Sequence, residues 1–186
     1  MNAQPKSDCI GVEEYITGEQ ESDIRHEYIG GMVHAMSGAS ANHNLITGNL
    51  FALMHGAARQ TSCQVFIADM KVYLDIAGRD IFYYPDVLVS CDPDDQETYF
   101  RKHPCLIVEV LSKTTERIDR QEKFLAYTSI DSLQEYILIS QEQAEVTLFR
   151  RTNKWLPELF ASDDKLHFDC LNCDLSVDQI YENINL

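Results

Sequence analysis

The sequence predicts an α/β fold whose central sheet carries helices on its faces. Two observations lead there. The elements run in the order helix, strands, a buried strand, a long helix and strands again. The buried strand, residues 105–111, is apolar at Leu106, Ile107, Val108, Val110 and Leu111, broken only by Glu109. With 186 residues, 45% of them hydrophobic and 24% charged, the chain is expected to form one domain over 1–186 with a sizeable core.

Each element has a local cause. Residues 12–16, VEEYI, open as a short helix. Residues 25–36 form a hairpin that turns at Gly30-Gly31 between two β-prone runs. Ser40 is placed to cap a helix whose Leu45, Ile46, Leu50, Leu53 and Met54 have helical spacing. Residues 63–68 and 71–74 are strands, followed by a turn over 75–80 at Gly78. Residues 81–90, IFYYPDVLVS, are expected as one strand. Pro85 lies inside it and cannot donate to a ladder, so it marks an edge, a bulge or a strand start. Residues 91–104 form a loop. Residues 115–130 form the long helix, and 135–139, 146–149 and 156–160 are strands.

The formal net charge of −15 works against a surface that grips nucleic acid through phosphates alone. The charge is uneven. Residues 1–30 hold seven acidic and two basic residues, whereas 101–123 hold six basic residues (Arg101, Lys102, Lys113, Arg117, Arg120, Lys123) against four acidic ones. That basic island is either a phosphate-facing site or a solvated helix face. The opening stretch MNAQPKSDCIGVEEY lacks the apolar run of a signal peptide, and no segment is long enough to span a membrane. The six cysteines, Cys9, Cys63, Cys91, Cys105, Cys170 and Cys173, are irregularly spaced. They are expected as reduced thiols in a cytoplasmic protein, with Cys170 and Cys173 as packing residues rather than ligands.

Glu109 is the residue that demands a reason. Side chains alternate along a strand, so Glu109 shares a face with Ile107 and Leu111, and Asp86 shares one with Tyr84 and Leu88. If the two strands are neighbours in register, both carboxylates project from one face and form a hard-oxygen site for Mg²⁺ or Mn²⁺. On the following helix, at about 100° per residue, Lys123 lies near the centre of the stripe made by Ala126, Tyr127 and Ile130. Asp119 and Arg120 flank it. A buried ammonium needs a carboxylate, and Glu109 or Asp86 can supply one. Glu109 therefore waits for a cation, either a metal or Lys123. A purely structural pair, Glu109 with Lys123 or Arg120 and Asp119 with Lys123 at i,i+4, satisfies the same spacing.

The segments PDVLV (85–89), IVEVLSKTTERIDRQEKFLAY (107–127), LQEYILI (133–139) and HEYIGGMVHAMSGASANHNLITGNL (26–50) resemble the Uma-two family of restriction-endonuclease-like proteins, within the PD-(D/E)XK nuclease superfamily. The resemblance covers roughly residues 12–150. It implies a restriction-endonuclease-like core, a mixed sheet flanked by helices, and a Mg²⁺- or Mn²⁺-dependent endonuclease acting on DNA. The family's aspartate falls on Asp86 and its glutamate on Glu109. The superfamily's lysine is due two residues after the glutamate, where this chain has Leu111. Families with that departure draw the lysine from the next helix, here Lys123. An acidic residue of the early segment falls on Glu27, which either assists the metal or pairs with Arg25 or Arg59. His43 either borders the site, caps its helix or bonds a neighbouring strand. A duplex cut needs two sites, so the resemblance also implies a homodimer. The rival expectation is a catalytically inactive interaction protein on the same fold.

Overall fold

A computed structural model describes residues 9–113 and 115–186. The first eight residues of the polar N-terminal stretch lie outside the described residues. The chain forms helices α1 (Val12–Glu21), α2 (Ala41–Ala58), α3 (Glu116–Ile118), α4 (Phe124–Thr128) and α5 (Val177–Ile180), with a π-helical turn, Asp119–Lys123, joining α3 to α4. Its strands are β1 (His26–Ile29), β2 (Met32–Ala35), β3 (Gln64–Ile67), β4 (Lys71–Ile76), β5 (Arg79–Tyr83), β6 (Val87–Ser90), β7 (Phe100–Arg101), β8 (Pro104–Leu111), β9 (Glu135–Ser140), β10 (Glu145–Arg150), β11 (Pro157–Ala161), β12 (Lys165–Phe168) and β13 (Cys173–Ser176).

The strands make a five-stranded sheet, β2-β1-β5-β4-β7, a six-stranded sheet, β11-β10-β9-β8-β6-β3, and the hairpin β12-β13. β8 and β9 pair in parallel across the α3–α4 connection, while β6 and β8 pair antiparallel, so the central sheet is mixed. This is the α/β architecture with flanking helices that the sequence predicts.

β8 shows how the layers form, because all eight of its residues are buried. Leu106, Val108 and Val110 pack with Ile46, Leu50 and Met54 of α2 and with Leu166, Phe168, Val177 and Ile180 of the C-terminal elements. Ile107 and Leu111 point the other way. They join Val72, Leu74, Ile81 and Tyr83 of the five-stranded sheet, and Ala126, Tyr127 and Ile130 of the long helical segment. A strand covered on both faces has to be apolar throughout. Each fully buried leucine or isoleucine contributes roughly 1.5–3 kcal/mol. Glu109 shares the odd-numbered face and so enters the space between the two sheets.

Several expectations change in detail. The hairpin forms as expected, with Gly30 at φ 56 and Gly31 at φ 98, values that suit the glycine pair. The next turn is tighter than 75–80: Ala77 and Gly78 at φ 55 and 76 join β4 directly to β5. Residues 81–90 are not one strand. β5 belongs to the five-stranded sheet and β6 to the six-stranded one, and Pro85 lies at the crossing, where no ladder needs its missing N–H. The loop 91–104 carries β7, which pairs in parallel with β4. The cysteines are not all thiols either. Cys63 bonds Cys91 and Cys105 bonds Cys170, while Cys9 and Cys173 stay free. Sequence spacing does not show that β3, β6 and β8 lie side by side, and that adjacency is what brings these sulfurs together.

Helix α1 is fixed by a group the sequence did not single out. Glu19 is buried. Its carboxylate accepts the His26 N–H at 3.1 Å, the Tyr84 hydroxyl at 2.8 Å and faces His26 Nδ1 at 2.7 Å. Burial pushes its pKa up, but the hydrogen bonds from His26 and Tyr84 outweigh burial and hold it below the ordinary value. A depressed carboxylate adds stability above its unfolded pKa, and that stability is lost as pH falls through the folded value. Glu19→Gln should therefore cost roughly 1.5–3 kcal/mol at pH 7, the scale of hydrogen bonds to a charged group. The difference should narrow below about pH 4, where the unfolded glutamate protonates. Urea unfolding of both proteins at neutral and acidic pH measures this, and a gap that ignores pH would mean the charge is not what holds α1.

Candidate active site

The break at Pro85 places Asp86 at the mouth of β6. Val87 pairs with Val108 and Leu88 with Ile107; Asp86 is the bend residue just before that ladder, near enough for its charge to act on Glu109. Asp86 Oδ2 accepts the Val110 N–H at 2.7 Å, which ties the loop to the next strand. From the other side, the first turn of α2 brings His43 Nε2 to 3.3 Å from the same oxygen. Ser40 caps that helix by accepting the His43 N–H at 3.1 Å. Of the three roles open to it from sequence, His43 takes the place beside Asp86, while the capping role falls to Ser40.

The helical segment after β8 starts from a local lock. Ser112 and Thr115 hydroxyls lie 2.9 Å apart, and the Thr115 and Glu116 N–H groups bond back to Ser112. It then widens into the π-helical turn. The Tyr136 hydroxyl donates to the Asp119 carbonyl at 3.0 Å, and a side chain entering the i→i−4 ladder in this way is a recognised cause of such departures. Asp119 and Lys123 both end up buried on the inner side.

Lys123 is 6% exposed and Glu109 4%, so their contact is formed almost without water. Lys123 Nζ lies 3.1 Å from Glu109 Oε1, 2.9 Å from Glu27 Oε1 and 3.5 Å from Asp119 Oδ1. It also stands 5.5 Å from the centre of the Tyr83 ring. The Tyr127 hydroxyl donates to Glu109 Oε1 at 2.8 Å. The contacts to Glu27 and Asp119 are ion pairs without hydrogen-bond direction, and both of those carboxylate oxygens are buried with no hydrogen-bond partner among the described residues. Burial works against the Lys123 charge, but Glu109, Glu27 and Asp119 together hold its proton well above the ordinary lysine range. Glu109 is driven well up by burial, with Lys123 opposing and Asp119, Asp86 and Glu27 adding to the rise. Burial likewise raises Asp119 against the pull of Lys123. His43 is lowered by burial and raised more by Asp86.

The structure therefore brings all four residues singled out from sequence, Asp86, Glu109, Lys123 and Glu27, to one place between the sheets. Glu27 reaches Lys123, whereas Arg25 pairs with Asp69. Asp119 and Tyr127 complete the cluster. Asp119 was legible as a flank of Lys123 and as its i,i+4 partner, and it pairs so at 3.5 Å; Tyr127 was legible only as an apolar-stripe residue, since nothing in its spacing shows where its hydroxyl points.

These residues suit a hard divalent cation. Four carboxylates surround one ammonium and one imidazole, so negative charge is in excess. Among the described residues, Asp86 Oδ1 and Glu109 Oε2 have no hydrogen-bond partner. No three carboxylates bring oxygens within 4.8 Å of one another among the described residues. Any divalent ion held here would therefore take at most two of its ligands from these side chains at once and the rest from water, a shell that Mg²⁺ accepts.

The basic island does not stand free. Arg101 is buried and donates to the Glu97 and Phe100 carbonyls. Lys102 pairs with Glu97, Lys113 with Glu142, Arg117 with Glu122 and Arg120 with Glu116. Sequence counting recorded the charges and not these partners. The Lys113 and Arg117 pairs are mostly exposed, and such pairs are worth about 0–1 kcal/mol, so phosphates can compete for them. Among the described residues, no helix is long and apolar enough to cross a membrane.

Comparison with known proteins bears on the family and the fold. Two proteins of Synechocystis sp., slr1290 and sll1609, both described as uncharacterized, are 35% and 33% identical over 178 and 161 residues. They align with 94% and 83% of this chain, and with 93% and 90% of their own lengths. A crystal structure from Anabaena variabilis, described as a putative nuclease belonging to DUF820, superposes with a TM-score of 0.72 at 16% identity, covering 92% of this chain and 97% of that one. At that identity the likeness establishes the fold. The model of the Uma2 family, described as putative restriction endonuclease, matches residues 12–178, and with relatives this similar along nearly the whole chain, the protein belongs to the Uma2 family.

Proposed function

We propose that this protein is a divalent-metal-dependent endonuclease that hydrolyses DNA phosphodiester bonds. The observation that carries the reading is the gathering of Asp86, tied to the Val110 N–H beside Glu109, with Glu109 itself and the Lys123 ammonium 3.1 Å from it. Two neighbouring carboxylates beside a buried cation form the donor set that phosphate hydrolysis calls for. Asp86 and Glu109 would hold Mg²⁺ or Mn²⁺. When bound, such an ion polarises a phosphoryl oxygen and lowers the pKa of a bound water.

The protein's own groups have separable roles in this reading. Lys123 keeps its proton and offers a fixed positive charge to the oxygens on which negative charge grows, or to the attacking water. Glu27 and Asp119 hold that ammonium in place from two sides. Tyr127 orients Glu109, and the Val110 N–H and His43 orient Asp86, so both carboxylates are set before substrate arrives. Lys113 and Arg117 are exposed and offer their charges to the backbone phosphates. A homodimer would supply the second site for a duplex cut, and action on DNA agrees with a cytoplasmic location.

A binding protein without activity is the second reading. It is favoured by the three carboxylates that already neutralise Lys123 and by the net charge of −15.

Asp86→Asn removes a charged ligand and keeps the side chain's shape. Calorimetry should show Mn²⁺ binding to the wild type and none to the variant, with matching circular dichroism. Equal binding by both would remove Asp86 from the metal site. Lys123→Met separates catalysis from structure. Stability should be compared in EDTA, where loss of the ammonium strands Glu109, Glu27 and Asp119 and should cost about 3–5 kcal/mol. Cleavage should be compared in Mg²⁺ on single-stranded, duplex and branched DNA, and should fall about 100- to 1,000-fold, the scale of one lost transition-state donor. Wild-type cleavage by the variant would reject the catalytic role of Lys123. No cleavage of any DNA by the wild type with Mg²⁺ or Mn²⁺ would favour the inactive binding protein.

A further inference from the structure

Four sulfurs gather at a second place that the proposed nuclease chemistry does not use. Cys63 precedes β3, Cys91 follows β6, Cys105 lies in β8 and Cys170 lies between β12 and β13. β3, β6 and β8 are consecutive in the six-stranded sheet, so three of these cysteines come from adjoining strands. The fourth is delivered by the C-terminal hairpin, whose Asp169 and Cys170 N–H groups bond the fully buried Glu135 carboxylate, each at 3.2 Å. The two disulfides are not separate bridges. Cys91 Sγ lies 3.4 Å from Cys105 Sγ and 3.6 Å from Cys170 Sγ. The Cys91, Cys105 and Cys170 sulfurs all fall within 4.8 Å of one another, and Cys63 is bonded to the first of them.

The geometry points to a zinc site: in the reduced protein, Cys91, Cys105, Cys170 and Cys63 bind one Zn²⁺ as a four-thiolate centre. Zinc bound to four sulfurs at about 2.3 Å has sulfur–sulfur edges of about 3.8 Å, close to the two non-bonded distances here. Strands of the central sheet and a hairpin anchored on Glu135 hold Cys91, Cys105 and Cys170 in place, whereas the Cys63 sulfur, bonded to Cys91 but farther than 4.8 Å from at least one of the other two, must swing inward from the start of β3 to complete the shell. Cys63, Cys91 and Cys170 are partly exposed, so an ion and a reductant can reach them. The chemistry balances simply. Each disulfide takes two electrons and two protons from a dithiol to give two thiols, and the four thiols release their protons as zinc binds. Soft thiolates select zinc, whereas the carboxylates between the sheets select Mg²⁺ or Mn²⁺, so the two centres do not compete for one metal.

The test uses the untagged full chain, reduced by a phosphine without oxygen and titrated with Co²⁺, then with Zn²⁺. Cobalt on thiolates gives a sulfur-to-metal charge-transfer band that cobalt on carboxylates does not. The band should saturate at one equivalent and disappear as zinc displaces cobalt. Cys91→Ser and Cys170→Ser should each weaken binding about 100-fold or more, beyond the loss from a supporting residue, and Cys9→Ser should leave it unchanged. Should the serine variants fail to fold, zinc release from the wild type by a mercurial decides the matter: one zinc freed as the thiols are consumed supports the site. Absence of the charge-transfer band in the reduced wild type, or its persistence in both serine variants, would overturn the proposal.

Discussion

The buried ammonium of Lys123 organises the space between the two sheets. Lys123 carries a full charge into the space between two sheets, where an unpaired ion costs several kcal/mol. Three chain segments answer that cost by bringing Glu27, Glu109 and Asp119 to it. The N-terminal hairpin is where it is because Glu27 must reach Lys123 from the five-stranded sheet. The helical segment follows β8 closely enough for its lysine to fall back over the strand it has just left. Even the crossing at Pro85 serves the same end, since it brings Asp86 to the start of β6, where it accepts the Val110 N–H beside Glu109.

This explains why so little of the polar network is redundant. Tyr127 and Tyr136 are buried tyrosines whose hydroxyls bond Glu109 and the Asp119 backbone, and buried phenols need such partners. Their rings stack edge to face with centroids 5.4 Å apart, so the cluster's hydrogen bonds and the aromatic core share the same side chains. A buried network of this kind is most valuable when every member is satisfied. In this cluster the buried atoms left without a hydrogen-bond partner among the described residues are Glu27 Oε1 and Asp119 Oδ1, which face the lysine as ion pairs, and His43 Nδ1 on the Asp86 side.

Much of this was legible in the sequence. The apolar run around Glu109, the glycine pair of the hairpin, the Ser40 cap and the helical stripe around Lys123 are local signals, and each marks an element that forms. What was hidden depends on which segments become neighbours. Proline in 81–90 announced a break but not a change of sheet. Alternation put Asp86 and Glu109 on definable faces, while their proximity depends on the pairing of β6 with β8. The partners of Lys102, Lys113, Arg117 and Arg120 are local in part, but a charge count carries no geometry. The cysteine pairings join residues 28 and 65 positions apart, separations at which spacing gives no constraint. The hairpin β12-β13 is short and only half buried along its strands, too weak a pattern to stand out.

The π-helical turn carries a consequence for anyone who would trim this segment. Asp119 and Lys123 stand four residues apart, a spacing that shares a face in a plain α-helix as well, so the wide turn does not choose their side. It sets instead how the residues after Lys123 are rotated against those before Asp119. Removing one residue within 119–123 would turn everything beyond it by about 100°, carrying the Tyr127 hydroxyl away from Glu109 Oε1 while the chain before Asp119 kept its place.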